Sequence, residues 1–388
     1  MSQVDDLITE LASNGVRQVA LSKVANYSST RVDASDLNEA SFVGVDNLVA
    51  DKGGRVDANY LPNTERLTGY EPGDILLGNI RPYLKKVWRA TNAGGCSGDV
   101  LAIRIDSEFQ SELDSEFLYY LLSSDGFFAY NMQHAKGAKM PRGDKAAILS
   151  FRIPVPSIEV QREIVRILDQ FTQLEAELEA ELEARRRQYA HYSANLLDLV
   201  DYPGHTLRRV DEFCTVNRGV VISKDYLREN PGPFPVYSSQ TASEGVFGYI
   251  DTFAFDDEES ITWTTDGANA GSVFYHHNKK FTITNVCGRL VVRDSTVLAR
   301  YLYFQLRYRA KAYVNAGMGN PKLMANHMSA VRIPVPVMDE QRRIVSLLDK
   351  FDALVNDLSV GLPAELAARR KQYEYYRDIL LTFAEASA

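Results

Sequence analysis

The chain has no run that is both apolar and long enough to span a bilayer, so a membrane-embedded chain is not expected. Cysteine is scarce. Cys96, Cys214 and Cys287 lie far apart and form no metal-type pair, which suits a reduced, cytoplasmic setting and buried thiols rather than disulfides or zinc. The six histidines show no i,i+4 spacing, and His276-His277 is merely adjacent, so no metal site is expected. The N-terminus carries Asp5 and Asp6 without a basic region followed by an apolar run, which argues against a secretory signal. Acidic residues are missing altogether between Asp294 and Asp339, where Arg300, Arg307, Arg309, Lys311, Lys322 and Arg332 lie. They are missing again between Asp125 and Asp144, where Lys136, Lys139 and Arg142 lie. A formal net charge of −8 speaks mildly against a nucleic-acid partner, but such segregation lets an acidic chain present basic surfaces locally.

What is present is a repeat. Arg152-Ile153-Pro154-Val155-Pro156 recurs 180 positions later as Arg332-Ile333-Pro334-Val335-Pro336. Each copy runs into a charged segment: Gln161, Arg162, Ile164, Val165, Leu168, Asp169 and Phe171 are answered by Gln341, Arg342, Ile344, Val345, Leu348, Asp349 and Phe351. Arg185 to Tyr189 then matches Arg369 to Tyr373 at an offset of 184, so the second copy has gained four residues. A repeat of this length predicts two equivalent units related by a pseudo-two-fold.

The 388 residues, 45% of them apolar, suffice for two globular domains and connecting helices. A short helix is expected over 3–13, within a segment 1–15; its tail, Leu7 to Leu11, resembles Leu196 to Val200 and completes the repeat. Residues 16–156 mix short strands with turns. Asp51 to Gly54 and Thr91 to Gly95 read as loops, and Glu71 to Asp74 as a turn opening the strand Ile75 to Leu77. Val100 to Ile105 reads as an alternating strand, with helices at Phe117 to Leu122 and Phe127 to Met132. Residues 201–336 repeat this order: Val210 to Val216 answers the run from Val24, and Ile261 to Thr264 answers Ile75 to Gly78. Leu290 to Arg293 answers Leu101 to Arg104, and Tyr301 to Phe304 answers Phe117 to Tyr120. Both regions close with Gly-x-x-x-Pro-basic, at Gly137 to Arg142 and Gly317 to Lys322.

The prolines of each Arg-Ile-Pro-Val-Pro run impose an extended entry, after which Ser157 suits an N-cap. Apolar residues at Ile164, Leu168, Phe171, Leu174, Leu178, Leu182, Tyr189, Tyr192 and Leu196 step by coiled-coil intervals. They predict one long helix within 157–200, roughly 60 Å at about 1.5 Å per residue. Residues 337–384 supply the matching helix, and the pair should run antiparallel. Leu174, Leu178 and Leu182 open successive Leu-Glu-Ala copies, read as a spacer. Gly361 as a C-cap and Pro363 at the first helical position predict a break at 361–363. The expected fold is α+β (mixed α/β): two similar globular domains separated by a pair of long antiparallel coiled-coil helices.

These residues resemble type I restriction–modification specificity subunits. The likeness rests on Ile-Pro-Val-Pro with Gln161 and Ile164 to Asp169, on Gly361 to Glu365, and on Arg369 to Tyr376 with Leu380 and Leu381. In the globular parts, Gly73 to Leu76, Arg81 to Lys86 and Trp263 to Gly267 are similar to patterns of target recognition domains. The resemblance implies a non-catalytic subunit whose two domains read an interrupted duplex DNA site. It also implies two methyltransferase subunits as partners, joined by restriction/translocase subunits. S-adenosylmethionine, Mg2+ and ATP are expected in those partners, and no cofactor in this chain. An Asn/Asp-Pro-Pro-aromatic tetrapeptide is lacking, since neither Asn230-Pro231 nor Asn320-Pro321 precedes a proline, and no Gly-x-x-x-x-Gly-Lys-Ser/Thr loop occurs. A related type IIB-like system and a coiled-coil adaptor without DNA contact are the alternative readings. Candidate phosphate or groove contacts are Arg81, Lys85, Lys86, Lys139, Arg142, Arg307, Lys311 and Lys322. Candidates for base readout or stacking are Asn79, Tyr83, Trp263, Asp266 and Asn269.

Overall fold

The computed structural model describes residues 15–198, 205–317, 319–357 and 359–385. The helix expected over 3–13 lies outside the described residues, as does Leu358 within the expected second helical segment 337–384. Among the described residues no helix is long and apolar enough to cross a membrane. The chain divides into two compact units, one ending at Leu178 and resuming at Leu366, the other spanning Glu179–Glu365.

The first unit contains β1 (Gln18–Ala20), β2 (Ala25–Tyr27), β3 (Arg31–Asp33), β4 (Phe42–Val43) and β5 (Arg66–Tyr70). Then come β6 (Ile75–Gly78), β7 (Val87–Arg89), β8 (Gly94–Cys96) and β9 (Val100–Ile105), followed by α1 (Ser115–Leu122), α2 (Asp125–His134) and α3 (Lys145–Ser150). β10 (Arg152–Pro154) leads into α4 (Ile158–Leu197). The principal sheet is antiparallel in the order β2-β9-β6-β7, and a second sheet has the order β3-β5-β8-β4. β9 does not alternate between core and solvent as expected. Leu101, Ile103 and Ile105 pack with α1 and α2, while Val100 and Ala102 pack with Val43, Tyr70 and Cys96 of the second sheet. A strand covered on both faces is apolar throughout.

The loop expected over 91–95 stops early, because Gly94 and Gly95 already belong to β8. A Cβ on Gly94 would lie 2.0 Å from the Ser41 carbonyl oxygen, and one on Gly95 would lie 2.7 Å from Val32. Glycine here permits close approach of strands rather than a turn.

The second unit has β11 (Thr206–Arg209), β12 (Cys214–Arg218), α5 (Lys224–Glu229), β13 (Phe234–Tyr237) and β14 (Val246–Ile250). There follow β15 (Glu259–Thr264), β16 (Val273–His277), β17 (Thr282–Ile283), β18 (Cys287–Val292), α6 (Ala299–Arg309) and α7 (Ala325–Ser329). β19 (Arg332–Val335) and α8 (Met338–Asn356) close this unit, and α9 (Leu362–Leu380) belongs to the first unit from Leu366 on. The second unit's principal sheet, β12-β18-β15-β16, repeats the first unit's order strand for strand, whereas its second sheet has the different order β14-β13-β17.

Pairing fixes the registers. Ile75 faces Ile103 and Ile261 faces Leu290, so Leu290 answers Ile103 and not Leu101. The expected match was two residues out. Likewise Ala25 faces Ile105 and Cys214 faces Val292, so Phe213 answers Val24, and Val210 answers Leu21 in the preceding 3-10 turn.

Each Arg-Ile-Pro-Val-Pro run is the strand that closes its unit: Ile153 pairs with Val19, and Ile333 with Arg208. One turn into the following helix a glutamine is fully buried. Gln161 Nε2 donates to the carbonyls of Pro156 (2.8 Å) and Glu112 (2.7 Å), and its Oε1 accepts from the Asp114 amide at 2.8 Å. Gln341 repeats all three bonds, with Pro336 (2.9 Å), Thr296 (2.8 Å) and the Leu298 amide (2.9 Å). Asp114 and Leu298 are the N-caps of α1 and α6, so both glutamines fasten the globular part to the long helix.

The helices pack antiparallel within each unit. Phe171 of α4 stacks on Tyr376 (5.6 Å) and meets Tyr373 (6.2 Å) of α9, while Glu175 pairs with Arg370 at 2.6 Å. In the second unit Phe351 of α8 meets Tyr192 (6.1 Å) and Tyr189 (6.3 Å) of α4. The expected break exists, but α8 already ends at Asn356. Gly361 (φ +80°) precedes α9, where its carbonyl accepts from the Glu365 amide, instead of capping α8. A Cβ there would lie 2.6 Å from the carbonyl oxygens of Ala353 and Leu354.

Gln161→Ala or Gln341→Ala strands the buried carbonyl of Pro156 or Pro336 together with a part-buried carbonyl and a part-buried amide. Each substitution should cost about 3 kcal/mol in urea unfolding, with faster hydrogen exchange at the Asp114 or Leu298 amide respectively.

Candidate nucleic-acid interface

Both principal sheets end in the same clamped loop. In the first unit the Asn79 amide donates to the Asp99 carbonyl (2.8 Å), Arg81 to Pro141 (2.7 Å) and Gly143 to Asn79 (3.1 Å). Lys136 and Arg142 exchange a reciprocal pair of backbone bonds at 2.8 Å, closing the loop between them. The second unit repeats every bond: Thr265 to Val286 (3.1 Å), Gly267 to Pro321 (3.0 Å), Leu323 to Thr265 (2.8 Å), and Asn315 with Lys322 at 2.8 and 3.0 Å. The two Gly-x-x-x-Pro-basic segments are therefore equivalent hairpins docked on equivalent strand exits.

The cation at the base of each hairpin is exposed but paired. Arg142 Nε lies 3.0 Å from Asp99 Oδ1 and its Nη2 lies 3.4 Å from Oδ2. Lys322 Nζ lies 3.3 Å from Asp266 Oδ1. Beside the first hairpin, Arg81 and Lys85 adopt left-handed backbone (φ +53° and +50°) around a 3-10 turn that leaves Arg81 and Tyr83 exposed. Lys139 at the hairpin tip is exposed, as are Asn269 and Lys311 in the second unit. Asn269 donates to Thr241 Oγ1 at 3.3 Å.

Other candidates lie elsewhere. Trp263 is fully buried and cannot stack on a base; its ring lies over Gly288 of β18, where any Cβ would come within 2.1 Å. Its Nε1 donates to the Leu323 carbonyl at 2.9 Å, so it holds the hairpin's exit from beneath. Asn79 is also buried, with Oδ1 against Gly143. Lys86 Nζ donates to the Val45 carbonyl at 2.7 Å, and Lys85 pairs with Asp125 at 2.7 Å. Arg307 pairs with Asp352 of α8 at 2.7 Å, and neighbouring Arg300 pairs with Asp349 at 2.8 Å. With Lys311 they line an open cleft of about 1470 Å³ whose other wall carries those aspartates. Basic residues clustered in sequence thus meet carboxylates supplied from far along the chain. His276 is core: it shares a hydrogen bond with Thr262 Oγ1 (2.8 Å), and burial pushes its imidazole down to about 3. Among the described residues no cluster of His, Cys, Asp and Glu could hold a metal.

Two residues important here carried no signal of their own. Asp99 follows a short Ser-Gly turn and acquires meaning only when Arg142 folds onto it. Asp125, the first residue of α2, gathers Lys85, Lys52 (3.2 Å) and nearly buried Arg377 (2.8 Å). Burial pushes its carboxyl up, but the hydrogen bonds and charges of these three cations outweigh that and hold it well below the usual carboxylate range.

An internally duplicated chain that builds one clamped basic hairpin twice, each on a domain fastened to a long helix, has the form of a repeat-built duplex reader. A family model described as "Type I restriction modification DNA specificity domain" matches residues 102–184 and 204–368, more than half of the chain. The chain belongs to that family. A Mycoplasma pneumoniae protein named as a type I specificity subunit is 38% identical over 238 residues, covering 59% of this chain and 86% of that one. A Haemophilus influenzae protein named as a type I restriction enzyme specificity subunit is 31% identical over 297 residues, covering 71% and 74%. Among solved structures, the type I restriction-modification S subunit of M. genitalium aligns with a TM-score of 0.56 at 16% identity, covering 95% of this chain and 97% of that one. A chain from a structure of type I system assembly and conformational transition reaches 0.68 at 20% identity, again covering 95% and 97%. These two likenesses show the fold. The protein is a DNA sequence-specificity subunit of a type I restriction–modification system and not its catalytic component; neither alternative reading is favoured by these relatives.

Asp125→Asn should lower stability by about 1 kcal/mol at pH 7. Because the folded-state pKa is depressed, the carboxylate's contribution is complete above the unfolded value and is lost as pH falls through the folded one. The wild-type advantage should therefore persist to about pH 4 and fade below it in thermal melts taken across pH.

Proposed function

We propose that residues 16–156 and 201–336 are two target recognition domains, each contacting one part of an interrupted duplex DNA site through its clamped hairpin. The observation that carries this reading is the recurrence of one backbone frame with its basic residue, Arg142 or Lys322, at the same place in both units. Lys139, Arg81 and Tyr83 beside the first hairpin, and Asn269, Asp266 and Lys311 near the second, complete the proposed contact set. An adaptor without DNA contact would leave the matched hairpins unexplained. Segments 157–200 and 337–384 bind two methyltransferase subunits, to which restriction/translocase subunits are added. S-adenosylmethionine, Mg2+ and ATP act in those partners, and the assembly works in the cytoplasm.

The Leu-Glu-Ala copies opened by Leu174, Leu178 and Leu182 act as a spacer between the two domains. One Leu-Glu-Ala-Glu unit adds about 6 Å of helix, against about 3.4 Å per base pair. The division between compact units falls within this repeat, at Leu178, and close to Gly361 and Pro363 on the other strand of the pair. Deleting Leu178 to Glu181 should shorten the non-specific gap of the methylated motif and leave both specific parts intact. Genome-wide mapping of methylated adenines reads this directly, and an unchanged gap would remove the spacer role.

The hairpins are tested separately. Arg142→Ala or Lys322→Ala should weaken binding of the methyltransferase-bound complex to random and target duplexes by similar factors. The log–log salt slope should become shallower by about one. A change of preferred base without loss of affinity would contradict the phosphate or groove assignment.

A further inference from the structure

The two hairpins share their backbone bonds, but the carboxylates that pair with their cations come from different places. Asp266 follows the exit of β15, at the position held by Ile80 in the first unit, since Ile80 bridges to Arg142 as Asp266 bridges to Lys322. Asp99 immediately precedes β9, and its counterpart is Val286, because the Asn79 amide bonds to Asp99 as the Thr265 amide bonds to Val286. The same ion pair is therefore built in both units from non-equivalent positions.

A hairpin that only gripped phosphate would gain from losing that carboxylate, which cancels the cation's charge and repels the backbone. Both units nevertheless keep one. Each carboxylate is also less exposed than its cation: 39% against 53% for Asp99 and Arg142, and 21% against 53% for Asp266 and Lys322. When the cation turns to DNA, the carboxylate loses its counter-charge in a site that is being dehydrated, although Asp266 still accepts from the Thr265 hydroxyl at 2.6 Å. A carboxylate without a counter-charge there is costly unless a new donor replaces the cation. In the major groove the donors on base edges are exocyclic amines, the cytosine N4 and the adenine N6.

Resting on the hairpin reading above, we propose that Asp99 and Asp266 are the base-reading residues of the two domains. Each accepts a hydrogen bond from an exocyclic amine in its own half of the target. Arg142 and Lys322 keep these carboxylates neutralised until the duplex is seated. Where no amine stands opposite, the stranded carboxylate penalises binding, and sequence selection at that position arises as much from this penalty as from the bond.

Asp99→Asn and Asp266→Asn keep side-chain size and remove the charge. Each is assembled with the methyltransferase subunits; the methylated motif is then mapped, and binding to a random-sequence duplex is measured by anisotropy. Each variant should bind the random duplex several-fold tighter. Each should relax the motif at one base pair, in different halves for the two variants, with discrimination there falling roughly tenfold or more. The relaxed position identifies the amine as that of cytosine or adenine. Unchanged motifs, while Arg142→Ala and Lys322→Ala still weaken binding, would overturn the base-reading role and leave the hairpin reading standing. Relaxation of the same half by both variants would also overturn it. If Arg142→Ala and Lys322→Ala leave binding unaltered, the hairpin reading fails, and this proposal with it.

Discussion

The interaction on which each unit depends is a buried side-chain amide with all of its principal hydrogen-bonding capacity used. Gln161 and Gln341 each bind the carbonyl that precedes their own helix and a carbonyl and amide at the start of α1 or α6 respectively. A fully buried amide tolerates no loss of partner, so the three segments it joins must arrive together. It fixes where the long helix leaves the domain more sharply than apolar packing could, since a leucine surface permits sliding and a three-point hydrogen-bond set does not. The aspartate two turns further on reinforces this direction in both units, but with different partners. Asp169 accepts from Tyr120, whereas Asp349 takes Arg300, which lies one turn earlier on the corresponding helix.

Each unit is then a domain with one helix leaving and another arriving. In the first, α4 leaves and α9 arrives, and the Val16 amide meets the Ala384 carbonyl at 2.8 Å. In the second, α8 leaves and α4 arrives, its last turn held by Gln305 and Arg309 on the Leu197 carbonyl. What one unit achieves along the chain, the other achieves between the chain's two ends. The repeat is thus circularly permuted: the helix that arrives at the first domain, α9, lies more than 200 residues after that domain, whereas α4 directly precedes the second.

The long helices and their sequence matches were legible because each repeated residue makes the same contact twice. Gln161, Phe171, Tyr189 and Tyr192 recur as Gln341, Phe351, Tyr373 and Tyr376 at fixed offsets, and any drift would break a packed pair. The domains were legible only in order. A two-residue slip between β9 and β18 leaves every side chain on the same face, so alternation cannot detect it. Trp263 was misplaced for a related reason: its burial depends on Gly288, which contributes nothing on the opposing strand. Lys85, Lys86 and Arg307 formed basic clusters in sequence, yet their partners are Asp125, the Val45 carbonyl and Asp352, all distant in the chain. Charge clustering along a sequence reports solvent-facing charge only when no partner folds back onto it.

The contrast between frame and decoration bears on how such a protein can change what it recognises. The principal sheets, the hairpin bonds and the glutamine junctions repeat almost bond for bond, whereas the second sheets differ in strand order and the hairpin carboxylates in origin. Backbone bonds do not depend on side-chain identity, so a frame made of them survives substitution at nearly every exposed position. Substitution at the strand exits and hairpins can then alter contacts without breaking the bonds that orient the helices, because Gln161 and Gln341 are joined through the starts of α1 and α6. Substitutions there should cost little stability, because the glutamine junctions that orient the helices are buried hydrogen bonds to which no hairpin residue contributes.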